Sequence, residues 1–92
     1  MNPATEASSA PSADASLSLA QLENGASATV ERFVGASDVI LQRLVEMGIA
    51  VGSSVRVVRR APLGGPLEVE VGSFHLALRR SEAERVLVRR VD

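Results

Sequence analysis

The fold of this chain is decided by residues 44–78, which read LVEMGIAVGSSVRVVRRAPLGGPLEVEVGSFHLAL. Within them, large apolar side chains alternate with polar or small ones over residues 67–71 and again over residues 74–78. This period of two predicts two β-strands, each with one buried face. Only Gly72 and Ser73 separate the two runs, and a two-residue loop that begins with glycine favours a type II′ turn. The stretch therefore predicts a tight β-hairpin.

The short loop also predicts the register of the hairpin, because the residues on either side of a two-residue loop pair directly. Val71 is expected opposite Phe74, and two further apolar pairs are expected on the same buried face. These pairs are Val69 with Leu76 and Leu67 with Leu78. On the opposite face, Glu70 is expected beside His75.

The residues before the hairpin predict a helix and then a strand. Ser37 or Asp38 offers a side-chain oxygen to cap a helix that runs to Met47. Gly48 follows, and glycine readily adopts the left-handed conformation that ends many helices. A strand is then expected over residues 54–60. The apolar face of the helix is predicted from helical spacing to consist of Ile40, Leu41, Leu44 and Val45.

Two further strands are expected, over residues 28–34 and 86–91. Between the hairpin and the last strand, Ser81 and Glu84 have the spacing of a capping box and predict one short helical turn. About five short strands with one α-helix predict a mainly β fold. A small barrel is the favoured arrangement, because full closure leaves no exposed sheet edge.

The two ends of the chain differ in composition. Residues 1–16 are mostly Ala, Ser and Pro with two acids, and they predict a disordered N-terminal tail. Residues 17–92 are expected to form the single folded domain. Hydrophobic residues make up 46% of the chain and aromatic residues only 2%, so the core must be built from aliphatic side chains.

The organising stretch resembles the FeoA family, small cytoplasmic proteins of bacterial ferrous iron uptake. The resemblance covers about residues 17–92 and rests on a combination of short motifs. These are Met47-Gly48-Ile49, Gly52 at the start of a strand, Ala61-Pro62-Leu63-Gly64-Gly65-Pro66, Ala77-Leu78-Arg79 and Glu82-Ala83. The resemblance implies a small SH3-like β-barrel and a partnership with FeoB, a membrane iron transporter that carries a GTP-binding domain. Related barrels occur in metal-dependent repressors.

The composition argues against an enzyme. The chain has no Cys, no Lys and a single His, and it contains no P-loop, no dinucleotide-binding glycine pattern and no HExxH motif. No uninterrupted apolar run exceeds three residues, whereas a membrane-spanning helix needs about 20. The N-terminus lacks the basic and apolar regions of a secretory signal. We therefore expect a non-enzymatic, cytoplasmic protein without direct membrane insertion.

The charges are uneven but do not predict nucleic acid binding. The net charge is -1, and residues 32–92 carry ten Arg against seven acids. Single-strand binders add aromatic stacking platforms to their basic residues, and this chain has only Phe33 and Phe74. We expect the arginines to pair with surface carboxylates. The carboxylates expected to do so are Glu68, Glu70, Glu82 and Glu84.

The turn over residues 61–66 is the predicted site of partner binding. Two prolines and two glycines constrain it, and Leu63 stands at its tip, where a leucine is hard to bury. A rigid apolar residue with arginines around it is typical of an interface anchor. The alternative is that Leu63 folds back on the helix and covers the core. The predicted contact residues are Leu63, Gly64, Arg60 and Arg79, and the expected partner is the cytoplasmic domain of a FeoB-type transporter.

The hairpin offers a second candidate site. Glu68, Glu70 and His75 are expected on one face, and one imidazole with two carboxylates predicts at most a weak site for Fe(II) or Mn(II). The alternative function is therefore a transition-metal sensor or regulatory domain, and the alternative structure is a solvated cross-strand pair. No cofactor is required. Self-association is a further alternative, through a sheet edge left open by incomplete closure.

Overall fold

The structure is a computed structural model and describes residues 17–91, which form one six-stranded antiparallel sheet with two helices. The order of strands across the sheet is β1-β6-β2-β3-β4-β5. In chain order the elements are β1 (Leu17–Ser18), a 3-10 turn (Leu19–Gln21), β2 (Ser27–Phe33), α1 (Asp38–Glu46), β3 (Ser54–Arg60), β4 (Leu67–Val71), β5 (Phe74–Leu78), α2 (Arg80–Ala83) and β6 (Val86–Val91). The predicted disordered tail, residues 1–16, lies outside the described residues.

The mainly β class with one α-helix of full length is confirmed, but the sheet does not close into a barrel. β1 pairs only with β6, and β5 pairs only with β4, so each leaves one edge open. β1 is two residues long because the chain turns at once into the 3-10 turn. No further strand bridges the gap to β5 in the described part of the chain, so the expectation that closure would remove the edges is wrong.

The hairpin has the predicted register. Val71 pairs with Phe74, and Glu70 pairs with His75 on the other face. Gly72 has φ +61 and Ser73 does not have a positive φ, which is the pattern of a type II′ turn. The remaining pairs, also as predicted, are Val69 with Leu76, Leu67 with Leu78 and Glu68 with Ala77.

Helix α1 begins and ends as its sequence predicts. The Ser37 Oγ accepts a hydrogen bond from the Ile40 N–H at 3.3 Å, so Ser37 is the N-cap. At the other end Gly48 has φ +91, and the Ile49 N–H donates to the Leu44 carbonyl at 2.9 Å. This hydrogen bond from the second residue beyond the C-cap Met47 back to the last helical turn is the Schellman arrangement, and it brings Ile49 into the core.

The core is aliphatic, as the composition predicts, but two apolar residues are not where the pattern placed them. Val45 is 55% exposed, because only a narrow stripe of α1 centred on Leu44 meets the sheet. Phe74 is 70% exposed, because it begins an edge strand beyond which no other strand of residues 17–91 lies. The largest fully buried side chains are Leu19, Leu22, Leu44, Ile49, Leu67, Leu78, Val30, Val55, Val57, Val69, Val86 and Val88.

Helix α2 begins earlier than predicted. Its N-cap is Arg79, whose N–H donates to the Glu82 carboxylate at 2.9 Å, so the capping residues are not Ser81 and Glu84. Glu82 was expected on the surface but is only 4% exposed. Its other oxygen lies 3.1 Å from the Arg43 Nε of α1. The buried carboxylate thus caps α2 and joins the two helices, which fixes where α2 starts.

Candidate partner-binding site

The connection between β3 and β4, residues 61–66, is closed by two backbone hydrogen bonds. At its base the Ala61 N–H donates to the Pro66 carbonyl at 2.9 Å. Nearer the tip the Gly65 N–H donates to the Pro62 carbonyl at 3.2 Å. The prolines fix φ at two positions, so the connection is a stiff turn rather than a flexible loop.

The two residues at the tip have a conformation that disfavours leucine. Leu63 has φ +61 and Gly64 has φ +73, the pattern of a type I′ turn, in which both central residues have positive φ. Leu63 is the one residue other than glycine with positive φ in the described part of the chain. A left-handed backbone at a residue with a Cβ costs roughly 1–2 kcal/mol. Backbone strain of this kind is concentrated at functional sites in proteins.

The Leu63 side chain projects fully into solvent. Its relative exposure is 103%, the highest among the large hydrophobic residues that the structure describes. The alternative of a leucine folded back on the helix is therefore not what the structure shows. The tip combines a constrained backbone with a fully exposed apolar side chain, which are the properties of an anchor that inserts into a partner. The role of Leu63 in binding stays a prediction.

Arg60 and Arg79, the two arginines predicted to surround the tip, lie in different environments. The guanidinium of Arg60 donates to the Ala20 carbonyl at 2.8 Å and also to the Leu22 carbonyl, so Arg60 ties the base of the turn to the 3-10 turn. Arg79 is exposed at the start of α2. Arg80, whose guanidinium lies beside Gly64, was not among the predicted contact residues. No local signal indicated it, because its position depends on where α2 begins.

Two grooves flank the turn. A groove of about 300 Å³ lies on the side of α2 and is lined by residues that include Leu63, Gly64 and Arg80. A larger groove of about 580 Å³ lies on the side of β5, and its lining includes Pro62 and Ala77. The turn therefore borders two depressions, and Leu63 lines the smaller of them.

The second candidate site brings its three predicted residues together. The imidazole of His75 lies between two carboxylates, with Nδ1 3.5 Å from Glu68 and Nε2 3.4 Å from Glu70. Each carboxylate also pairs with an arginine of β3. Arg59 lies 2.9 Å from Glu68 and Arg56 lies 2.7 Å from Glu70. The hydrogen bond from Arg56, with that from His75, lowers the pKa of Glu70 below its ordinary value of 4.5.

This geometry is that of an ion-pair network across three strands. The two carboxylates face different nitrogens of the ring, so all three residues cannot hold one ion without rearrangement. In residues 17–91 no group of three or more potential metal ligands is arranged to hold an ion. The weak Fe(II) or Mn(II) site therefore stays a prediction, and an ion there would compete with Arg56 and Arg59.

The arginines pair with carboxylates largely as expected. Besides the pairs on β3 and β4, Arg80 lies 3.3 Å from Glu84, and Arg89 lies 2.6 Å from Glu31. Paired arginines leave less basic surface for phosphates, and the absence of nucleic acid binding stays a prediction. No helix among residues 17–91 is long and apolar enough to cross a membrane.

Comparison with known proteins gives three informative likenesses. The chain is 33% identical to the Fe(2+) transport protein A/Fe(2+) transporter FeoB fusion protein of Porphyromonas gingivalis strain W83. This match extends over 70 residues, which are 76% of the chain and 8% of the length of the fusion protein. FeoA of Stenotrophomonas maltophilia in complex with zinc is 44% identical, with a TM-score of 0.68 over 78% of this chain and 88% of that chain. A manganese-dependent transcriptional repressor is 25% identical, with a TM-score of 0.76 over 83% of this chain and 42% of that chain.

These likenesses bear on both fold and family. The Stenotrophomonas protein is a prokaryotic SH3 domain protein put forward as a bacterial ferrous iron transport activating factor, and its likeness confirms the SH3-like character of the present fold. Residues 17–90 match the FeoA domain family. The sequence motifs, among them the helix end and the turn over residues 61–66, predicted this family. The chain therefore belongs to the FeoA domain family.

Proposed function

We propose that this protein is a non-enzymatic accessory of ferrous iron uptake that acts in the cytoplasm by binding the cytoplasmic part of a FeoB-type transporter. The observation that carries the proposal is the fusion relative, in which a transport protein A region and a FeoB transporter are joined in one chain. Two proteins that occur as one chain elsewhere are held at high effective concentration there. A surface of this domain that binds the transporter would serve the same association between separate chains.

The turn over residues 61–66 is the surface best suited to that contact. Leu63 is already fully exposed and the turn that carries it is closed by two backbone hydrogen bonds, so little backbone freedom is lost when a partner covers it. Arg80 lies beside Gly64 and Arg79 is exposed nearby in sequence, which supplies a basic rim for a partner with acidic residues. Arg60 contributes by fixing the base of the turn rather than by reaching the partner.

An NMR titration tests the proposal. Isotope-labelled protein is mixed with the cytoplasmic domain of a FeoB-type transporter from the same organism. We expect chemical-shift changes that centre on residues 61–66 and extend to Arg80. In the Leu63→Asp variant, a much higher concentration of the transporter domain should be needed to produce the same shift changes. The control Val39→Asp alters an exposed valine on α1 and should bind as the unmodified protein does. Unchanged affinity in a folded Leu63→Asp variant would contradict the assignment.

A second function, metal binding in a sensor or regulatory role, is favoured by one observation. His75 lies within 3.5 Å of two carboxylates, on the exposed face of the hairpin. Paramagnetic Mn(II) broadens the signals of nearby amides, so a titration should broaden those of β4 and β5 first. His75→Ala should abolish this local broadening. Broadening that survives the substitution, or no broadening at millimolar Mn(II), would contradict a site at Glu68, Glu70 and His75.

A further inference from the structure

The open edge of β5 has backbone groups without partners. β5 pairs with β4 alone, and in residues 17–91 no other group hydrogen-bonds to its backbone. Residues that flank a two-residue hairpin loop exchange hydrogen bonds, and so does every second pair from there. Phe74, Leu76 and Leu78 therefore direct their N–H and C=O groups towards β4. His75 and Ala77 direct theirs away from the sheet.

The two sheet edges differ in how they are protected. β1 is only two residues long, and its Ser18 N–H is taken by the Gln21 side chain at 2.8 Å. β5 is five residues long and regular in register, and it contains no proline, bulge, acid, Lys or Arg. Those are the features by which natural sheets block edge pairing. Phe74 adds a large exposed apolar side chain at the start of this unprotected edge.

We propose that β5 pairs antiparallel with β5 of a second copy of this chain, which extends the sheet across a two-fold axis. The register is centred on Leu76, so that His75 of each copy lies opposite Ala77 of the other. Each of these two pairs exchanges two hydrogen bonds. All four outward backbone groups of each copy thereby gain a partner. Any other antiparallel register within β5 leaves His75 or Ala77 without a partner in the facing strand.

The side chains fit this two-fold pairing. A two-fold axis brings identical surfaces together, and β5 has no Asp, Glu, Lys or Arg that would meet a like charge. Phe74 would lie opposite Leu78 of the second copy, and the two Leu76 side chains would meet at the axis. On the outer face the small Ala77 borders the groove of about 580 Å³, which leaves room for the imidazole from the second copy. This self-complementarity favours a second copy over an unrelated strand, and it does not depend on the proposed transporter contact.

Amide hydrogen exchange at His75 and Ala77 tests the proposal most directly. Exchange is followed by NMR in the unmodified full chain from about 10 µM to about 1 mM, the range in which weak pairs associate, with sedimentation giving the dimer fraction at each concentration. We expect protection of both amides to rise with the dimer fraction. Absence of protection throughout would overturn the proposal. Protection that is independent of concentration would also overturn it, because the edge would then be covered from within one chain.

Two sets of variants localise the interface. Ala77→Pro removes an outward N–H without touching the ladder to β4, and we expect the dissociation constant to rise at least about tenfold. Phe74→Gln removes the exposed ring, and Val39→Gln is its matched control, since the two side chains are 70% and 72% exposed. Association should weaken in Phe74→Gln and not in Val39→Gln. Equal association in these two variants would overturn the proposal even if Ala77→Pro does not fold.

Discussion

Two turns of this molecule need a positive φ at their first central residue and use different residues to reach it. The turn between β4 and β5 has Gly72 at φ +61, and the turn between β3 and β4 has Leu63 at φ +61. Glycine adopts a positive φ without a steric penalty, whereas a residue with a Cβ in the left-handed region, such as Leu63, is strained by roughly 1–2 kcal/mol. The sequence agrees with the local backbone at Gly72 and conflicts with it at Leu63.

The difference indicates that Leu63 does not serve the stability of its turn. Its side chain is fully exposed, so no packing in the core offsets the strain. A residue that conflicts with its local structure and buries nothing is expected where a surface contacts another molecule. The Gly72 turn thus serves the fold, and the contrast agrees with the proposed binding role of Leu63, which stays a prediction.

The largest effect on stability is expected at the base of the Leu63 turn. Arg60→Ala removes charged hydrogen bonds to the carbonyls of Ala20 and Leu22, which belong to buried residues, and should lower the free energy of unfolding by about 2–3 kcal/mol. Arg59→Ala is the matched control, because its ion pair with Glu68 is on the surface and is worth less than about 1 kcal/mol. Urea unfolding measures the free energy of unfolding of both variants. If the two variants lost the same stability, Arg60 would not anchor the turn.

A smaller effect is expected when the hairpin turn is given the residue of the other turn. Gly72→Leu places a Cβ at φ +61 and should destabilise the protein by about 1–2 kcal/mol, measured by urea unfolding. Ser73→Leu adds the same side chain at the neighbouring position, where φ is not positive, and should cost much less. If the two variants lost the same stability, side-chain size rather than backbone conformation would be responsible.

The smallest effect concerns the charges beside the hairpin and depends on pH. The pKa of Glu70 is lowered in the folded protein, chiefly by the hydrogen bond from Arg56, so its ionised form favours folding. This stabilisation is present above the ordinary pKa of 4.5 and is lost as the pH falls through the lower folded value. Thermal unfolding should therefore separate Glu70→Gln from the unmodified protein at about pH 7, and the difference should shrink towards about pH 3. A difference that grows on acidification would contradict this linkage.

The features that could be predicted from the sequence are those fixed by residues close together in the chain. The loop of Gly72 and Ser73 determined the hairpin register, because its length leaves only one way to pair the flanking residues. Gly48 and Ile49 likewise marked the end of α1, since the hydrogen bonds that close it lie within six residues. The bounds of β3 and β6 also agree with the prediction.

The features that could not be predicted depend on neighbours distant in sequence. Phe74 has the alternating position of a buried residue, but only the strand order shows that no strand in the described part of the chain covers it. Glu82 is buried because Arg43 of α1 reaches it, and no local pattern contains that pairing. At the candidate site, Arg60 looked like a rim residue until its contacts with Ala20 and Leu22, some 40 positions away, were known. The sequence left two alternatives for Leu63, an exposed tip residue or a leucine folded back on the helix, and its exposure in the structure decides between them.

Substitution of Leu63 by glycine tests most directly whether this residue serves binding rather than folding. Leu63→Gly removes the strain of a Cβ at positive φ and also removes the exposed side chain. The free energy of unfolding should therefore be unchanged or up to about 1 kcal/mol higher. Affinity for the cytoplasmic domain of a FeoB-type transporter should fall by more than about tenfold, as for an interface anchor. Both quantities are measured on the same preparation, by urea unfolding and by calorimetric titration. A variant that binds as tightly as the unmodified protein, or that loses stability, would contradict the separation of roles between the two turns.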